Sequence, residues 1–267
     1  MNSFAEPVDP RFLACAHVLA DKAASVTLPF FRKILTVDNK LLNGDFDPVT
    51  AADHAAEKII SDHLAGVFPD HGLEGEEFGY HREGRRFKWV VDPIDGTRSF
   101  IIGSPMWGTL IGLMDGTQPL LGLIDQPFTK ERFWSDGMRT FFSQDKSNQK
   151  IICTRKCENL DEAILMTTDP ELFKEETKRS CFYALRSRVR MTRYSGDCYA
   201  YALLASGLVD VILECELKPH DIIPLIPIVQ SAGGCLTDWK GNVPVNGGSV
   251  LACGDKKLHE KIIKLLQ

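Results

Sequence analysis

Four short stretches of the sequence place acidic side chains where carboxylates are hard to leave unpartnered. "GLEGEEFG" sets Glu74, Glu76 and Glu77 among three glycines. "WVVDPIDGT" ends an apolar run in Asp92 and Asp95, followed by Gly96 and Thr97. "KPHDIIPL" holds Asp221 at the start of an apolar segment, and "PVTAADHA" holds Asp53 early in a helical one. Each acid has a plain structural reading. Asp221 suits a helix N-cap. Asp53 suits the first turn of a helix, where a negative charge meets the positive end of the dipole. Glu76 and Glu77 suit a solvated loop. Asp92 and Asp95 fit such readings least, because two charges abutting a buried strand need pairing or a cation.

Taken together, Glu76, Asp92, Asp95 and Asp221 form a set of hard oxygen donors, the kind Mg²⁺ takes alongside water and phosphate. Such a set suits two or more divalent ions. Two-metal sites polarise a phosphoryl group and activate water at neutral pH. Gly96 and Thr97 offer backbone amides without bulk, and a helix starting there would turn its N-terminus to a phosphate. The Thr97 hydroxyl can position a water. The chemistry these residues imply is metal-assisted hydrolysis of a phosphate ester. A rival motif, DxDGT, serves phosphatases that use the first aspartate as a nucleophile. Here the acids are three apart, and in a regular strand residues three apart point to opposite faces. Pro93 also removes an N–H from the ladder. The spacing disfavours the covalent route.

These acids need rigid elements to hold them. Residues 10 to 35 carry Phe12, Leu13, Ala16, Leu19, Ala20 and Ala23 at helical spacing. "NGDFDP" reads as a turn cluster. "VTAADHAAEKIISDHLAGVF" reads as a helix that stops at "PDHG". From Gly84 to Ser135 the period changes: "FKWVV", "GTLIGLM", "PLLGLIDQP" and "ERFWSD" predict an antiparallel meander. "DGMRTFFSQDKSNQK" is polar and turn-rich, and marks a boundary between an N-terminal lobe, 1–145, and a C-terminal lobe, 146–267. In the second lobe "AILMTT", "RVRMTRY", "LVDVILE", "CLTDW" and "SVLAC" predict strands. "CYAYALLASG" and "DKKLHEKIIKLLQ" predict helices. "HDIIPLIPIVQSAGG" predicts a helix that either begins near Asp221 with Pro224 and Pro227 tolerated early, or is kinked by them. This alternation argues for an α/β lobe.

The chain has 267 residues, 44% hydrophobic and 25% charged, the balance of a folded globular protein. A net charge of -5 argues against tracking nucleic-acid phosphates. No apolar run approaches the roughly 18 to 20 residues of a membrane span. The first residues carry acids and no basic stretch ahead of an apolar one, so they read as a first helix and not as a signal peptide; the expected location is the cytoplasm. Eight cysteines include no C-x-x-C pair and read as reduced, mostly buried thiols. A zinc site at Cys153 and Cys157 lacks a second pair of ligands.

"GEE", "WVVDPIDGTRSF" and "HDIIPLIPIVQSAGG", in this order and over nearly the whole chain, resemble the inositol monophosphatase superfamily. The resemblance implies a layered α-β-α-β-α sandwich, dependence on two or three Mg²⁺ ions, a homodimer and a small phosphate ester as substrate, without nucleic-acid or membrane partners. It implies that Glu76, Asp92 and the Ile94 carbonyl hold one metal, and Asp92, Asp95 and Asp221 a second. Thr97, with Asp53 behind it, would orient the attacking water, with Glu76 assisting through a further metal-held water. Asp95, Gly96 and Thr97 would meet the phosphate. "DGTRSF", "GSPMWGTLI", "GDCYAY" and "LKPHDIIPLIPI" are similar to the histidinol-phosphatase branch, which implies hydrolysis of L-histidinol phosphate in histidine biosynthesis. Its cationic amine and imidazole would suit acids such as Asp197 and Glu214, with Gly196 and Asp221 alongside. Plain readings stand beside these: an N-cap for Asp197, a strand-end acid for Glu214. Arg98 is either a partner that orients the carboxylates or a dimer contact. Ser195 and His220 depart from that branch's usual Gly and Tyr. The alternatives are an inositol 1-phosphatase, a broad phosphatase of the 3'-phosphoadenylate type, and a non-catalytic protein that binds metal and metabolite.

Overall fold

Asp9 starts the first helix: its carboxylate accepts the Arg11 amide at 2.9 Å, and Pro10 supplies a fixed φ in the first turn. The computed structural model describes residues 7–34, 36–39 and 48–267. Helix α1 covers Pro10–Thr27 and buries Phe12, Cys15, Ala16, Leu19, Ala20 and Ala23. It stops eight residues before the expected end, because Pro29 has no N–H to continue the ladder. Two short strands, β1 (Asp38–Asn39) and β2 (Pro48–Val49), pair antiparallel. The expected "NGDFDP" turn, apart from Pro48, lies outside the described residues. Helix α2 (Ala51–Val67) opens on a capping box between Thr50 and Asp53.

Strands β3 (Gly72–Gly75), β4 (Gly79–His81) and β5 (Phe87–Asp95) come next, then the short helix α3 (Thr97–Ile101). Strands β6 (Gly108–Asp115), β7 (Gln118–Gln126), β8 (Glu131–Ser135), β9 (Thr140–Gln144) and β10 (Lys150–Ile152) follow. They build an eight-stranded sheet of order β10-β9-β8-β7-β6-β5-β3-β4, antiparallel except where β3 runs parallel to β5. The predicted meander is there, and it runs further than expected. The polar stretch "DGMRTFFSQDKSNQK" contains β9, whose Phe141 and Phe142 pack into the apolar clusters on opposite sides of the sheet. Two adjacent aromatics facing opposite ways are strand behaviour that a polar average hides.

The second half holds β11 (Ile164–Thr167), α4 (Glu176–Arg186), β12 (Met191–Tyr194), α5 (Asp197–Ala205) and β13 (Val211–Leu217). Helices α6 (Pro219–Ile222) and α7 (Leu225–Ser231), strands β14 (Cys235–Asp238) and β15 (Gly248–Cys253) and helix α8 (Lys256–Leu266) complete it. A five-stranded sheet of order β12-β11-β13-β15-β14 results, parallel across β12, β11 and β13 and antiparallel beyond. The helix expected over 220–234 is two helices, broken at Pro224, whose missing N–H leaves no ladder bond to make. Helix α4 had no sequence signal strong enough to predict it; it buries only Phe182 and Leu185.

Side-chain alternation then fixes the layers. Leu19, Ile60, Trp89, Ile111 and Leu123 share one cluster under α1 and α2. Leu110, Ile124 and Phe133, on the opposite face of the same sheet, pack with Tyr201, Leu204, Ile226 and Ile228 of α5 and α7, and with Ile212 and Ala252 of the second sheet. Leu165, Leu213 and Leu251, on the far face of that second sheet, pack with Phe182 and Leu258 of α4 and α8. The order is α-β-α-β-α, as the resemblance implied. Among the described residues no helix is long and apolar enough to cross a membrane.

Candidate active site

The last residues of β5 do not follow a regular pleat. Asp92 pairs with Leu110 of β6 and Asp95 with Gly108, so three steps on one strand oppose two on the other. This bulge at Pro93 and Ile94 cancels the spacing argument drawn from an unbroken strand, and it brings the two carboxylates to the same side. Ile94 is fully buried, and its amide donates to Asp92 Oδ1 at 3.0 Å, which holds the bulge shut. Thr109 donates its hydroxyl to the Pro93 carbonyl at 2.8 Å. After Asp95 the chain turns through Gly96 at φ +88°, and a Cβ there would sit 2.8 Å from the Met106 carbonyl oxygen. Only glycine suits both demands. Thr97 then opens α3 and gives its hydroxyl to the Ile94 carbonyl at 3.1 Å.

The other acids arrive from separate elements. Asp221 sits in the first turn of α6, where its Oδ2 accepts the Lys218 amide at 2.7 Å. Glu76 lies in the turn after β3. That turn is held from behind by Glu57 of α2, a fully buried carboxylate accepting the Glu77 amide at 2.7 Å and the Phe78 amide at 2.9 Å. Gly75 leaves the room: a Cβ there would fall 1.9 Å from Glu57 Oε1. The result is two overlapping donor groups. Asp92, Asp95 and Asp221 present ligand atoms within 4.8 Å of one another, and so do Glu76, Asp92 and His220.

Burial first, and then the neighbouring carboxylates Glu76, Asp95 and Asp221, push the Asp92 carboxyl well above its ordinary range. Burial, then Asp197 and Asp221, do the same to Asp95, although the Cys198 amide donates to Asp95 Oδ2 at 2.5 Å. Asp221 is raised by burial. Lys218 approaches Glu76 at 3.9 Å from a half-exposed position. Such crowding of like charges, in positions a hard cation would neutralise, fits divalent metal.

The acids line a cavity of about 220 Å³ together with Gly96, Thr97, Arg98, Asp197, Tyr201, Glu214 and Glu216. Asp197 starts α5 at φ +44° and is raised to about 6, chiefly by burial, with the Ser99 hydroxyl and then the Arg98 charge pulling the other way. Arg98 itself is exposed at the cavity edge. Glu214 is buried, and its carboxylate accepts the Thr168 amide at 2.7 Å and the Thr168 hydroxyl at 3.0 Å; burial raises it to about 8. It therefore supports the end of β11 as well as facing the cavity. Gly196 stands behind the wall, at φ +130°, with Met166 and Ala200 where a Cβ would go. Asp53 stands one layer back, its Oδ2 accepting the Thr50 amide at 2.8 Å and hydroxyl at 2.6 Å. Three residues went unassigned in the sequence: Glu57, Tyr201 and His220. Tyr201 and Glu57 gave no local signal, since one sits mid-helix among apolar residues and the other 20 positions from the turn it braces. Cys153 and Cys157 belong to neither donor group.

The profile of the Inositol monophosphatase family matches residues 10–267. The chain is 41% identical to a protein named "Bifunctional phosphatase IMPL2, chloroplastic" from Arabidopsis thaliana, over 96% of this chain and 75% of that one. It is 34% identical to a "Histidinol-phosphatase" of Streptomyces coelicolor, over 95% and 96% of the two chains. Among solved structures, an inositol monophosphatase from Zymomonas mobilis superposes with a TM-score of 0.85 at 41% identity, covering 96% of this chain and 98% of the other. The sequence fits the histidinol-phosphatase branch, and the fold, the bulged acidic strand and the flanking carboxylates agree with one conclusion: the chain is a phosphatase of the inositol monophosphatase family.

Proposed function

We propose that this phosphatase hydrolyses L-histidinol phosphate to L-histidinol and phosphate, as a step of histidine biosynthesis. The observation that carries the reading is the composition of the cavity. It gathers Asp92, Asp95, Asp221 and Glu76 and the Gly96–Thr97 turn, and adds three further acids, Asp197, Glu214 and Glu216. An ester that carries a cationic group as well as a phosphate suits a lining with acids beyond those a metal pair needs. Glu76, Asp92 and the Ile94 carbonyl, and Asp92, Asp95 and Asp221, would hold the Mg²⁺ ions, two or three in number. Bound there, they would supply Lewis acidity to the phosphoryl group and lower the pKa of water.

The chain's own residues do the positioning. Gly96 and Thr97 present amides to the phosphate beside Asp95. Thr97 aligns the attacking water, with Asp53 backing the turn and Glu76 orienting a second water. Asp197 and Glu214, with Gly196 shaping the turn and Asp221 at its edge, receive the cationic portion. Arg98, at the cavity edge, favours the ionised form of Asp197 alongside the Ser99 hydroxyl. We infer a homodimer, following the resemblance.

A second reading has its own support. The 41% identity with an inositol monophosphatase structure favours inositol 1-phosphate or a broader range of esters. Phosphate release at matched concentrations from histidinol phosphate, inositol 1-phosphate and 3'-phosphoadenosine 5'-phosphate, with and without Mg²⁺, separates the two. A kcat/KM for histidinol phosphate at or below that for inositol 1-phosphate would sink the specificity and leave the phosphatase standing. Release that does not need a divalent cation would sink the metal assignment.

A further inference from the structure

His220 has no part in the reading above, yet its position is unusual. It precedes Asp221 in α6, is 8% exposed, and keeps a buried Nε2 that makes no hydrogen bond among the described residues. A buried ring nitrogen left that way is destabilising unless something else completes it. Nε2 lies 3.5 Å from Asp221 Oδ1 and 3.9 Å from Glu76 Oε1, too far for hydrogen bonds of normal geometry. A cation held at about 2.1 Å sets neighbouring ligand atoms roughly 3.0 Å apart and opposite ones roughly 4.2 Å apart. The 3.9 Å from Nε2 to Glu76 Oε1, a fellow member of that donor group, lies near the wider of the two spacings. Asp92, the third member of the group, is shared with the all-carboxylate trio.

We propose that His220 Nε2 is a metal ligand, completing with Glu76 and Asp92 a mixed nitrogen–oxygen site. This rests on the metal reading of the cavity and adds to it a ligand that the resemblance does not supply. The consequence is chemical. Carboxylates and carbonyls suit Mg²⁺, whereas an imidazole shifts preference towards borderline transition ions such as Co²⁺. The competing structural role is an outer one, in which the ring steadies Asp221 or Glu76 without touching the ion.

Pulsed EPR on the full-length protein, stripped with chelator and loaded with Mn²⁺, distinguishes the two. The expected result is a directly coordinated ¹⁴N coupling that is lost in His220→Asn and His220→Phe. Calorimetry on the same variants should show Co²⁺ affinity falling by at least about tenfold while Mg²⁺ affinity falls by less. Mn²⁺ that binds without a ¹⁴N coupling, or with one that survives in the variants, overturns the proposal and leaves the metal reading intact. A protein that binds no Mn²⁺ overturns both. The wild-type spectrum decides the point even where a variant fails to fold.

Discussion

Asp92 belongs to both donor groups and is 2% exposed, so its charge is the one least able to find water. Asp95, three residues on, is pulled into the same group by the bulge and anchored by the start of α5. Removing that carboxylate takes away a proposed ligand and the acceptor of the Cys198 amide. Asp95→Asn is expected to lower kcat by about a hundredfold or more with an unchanged circular dichroism spectrum. Unaltered phosphate release would revive the non-catalytic, metabolite-binding reading. Tyr201 calls for a different expectation. Its hydroxyl is buried at the cavity wall with no hydrogen-bond partner among the described residues. If a substrate polar group completes it, Tyr201→Phe should lower kcat/KM by about two- to tenfold, the worth of one hydrogen bond. Stability should hold or rise, since an unsatisfied buried group disappears. Steady-state kinetics beside urea denaturation reads both effects.

At the scale of elements, the site depends on how α6 and α7 lie on the large sheet. Gly112 and Gly122 face each other across β6 and β7, and the Pro224 joint rests on them. A Cβ at Gly122 would meet the Pro224 carbonyl oxygen at 1.9 Å, a backbone atom that cannot swing aside. Gly122→Ala is expected to destabilise by about 1–3 kcal/mol. Activity should fall further than the folded fraction does, because Asp221 moves with α6. Equal losses in urea midpoint and phosphate release would refute that coupling. The sequence showed the acids because they interrupt apolar strands, and it showed the double proline as an oddity in a helix. It could not show the bulge, because register is decided by β6, which lies outside the motif. Nor could it show the break at Pro224, which is stabilised by a glycine slot a hundred residues away. Phe141 and Phe142 were legible only once a sheet existed for them to straddle, and Glu57 only once the turn it braces was in place.

Over the whole molecule, two electrostatic arrangements couple distant parts of the chain. One fastens α1 to the sheet: Arg132 bonds Asp21 at 2.8 Å and Asp125 at 2.7 Å, and lies against His17. Burial, with Arg132 next in effect, pushes the His17 imidazole down to about 4. Between there and the ordinary 6.5 the unfolded chain takes a proton that the folded chain refuses. Stability is therefore complete above that range and declines as pH falls through it, by about 2 kcal/mol once solvent screening is discounted. Urea denaturation at about pH 7 and about pH 4.5 should show a smaller acid loss in His17→Gln than in wild type; equal losses would refute the assignment.

The second arrangement is the site itself, where Asp92 and Asp95 come from the eight-stranded sheet while Asp197 and Asp221 come from helices between the two sheets. Their repulsion pushes the layers apart unless a cation sits among them. Divalent metal should thus act as a fold-wide clamp, stabilising the native state by about 2.7 kcal/mol at a hundred times its Kd. For a chain of this size that corresponds to roughly 5–10 °C in Tm. Thermal unfolding with Mg²⁺ and with EDTA measures it directly. The difference should shrink in Asp92→Asn, because the repulsion and the ligand are removed together. A Tm indifferent to Mg²⁺ in the wild type would mean that the carboxylates are neutralised by protons and not by metal.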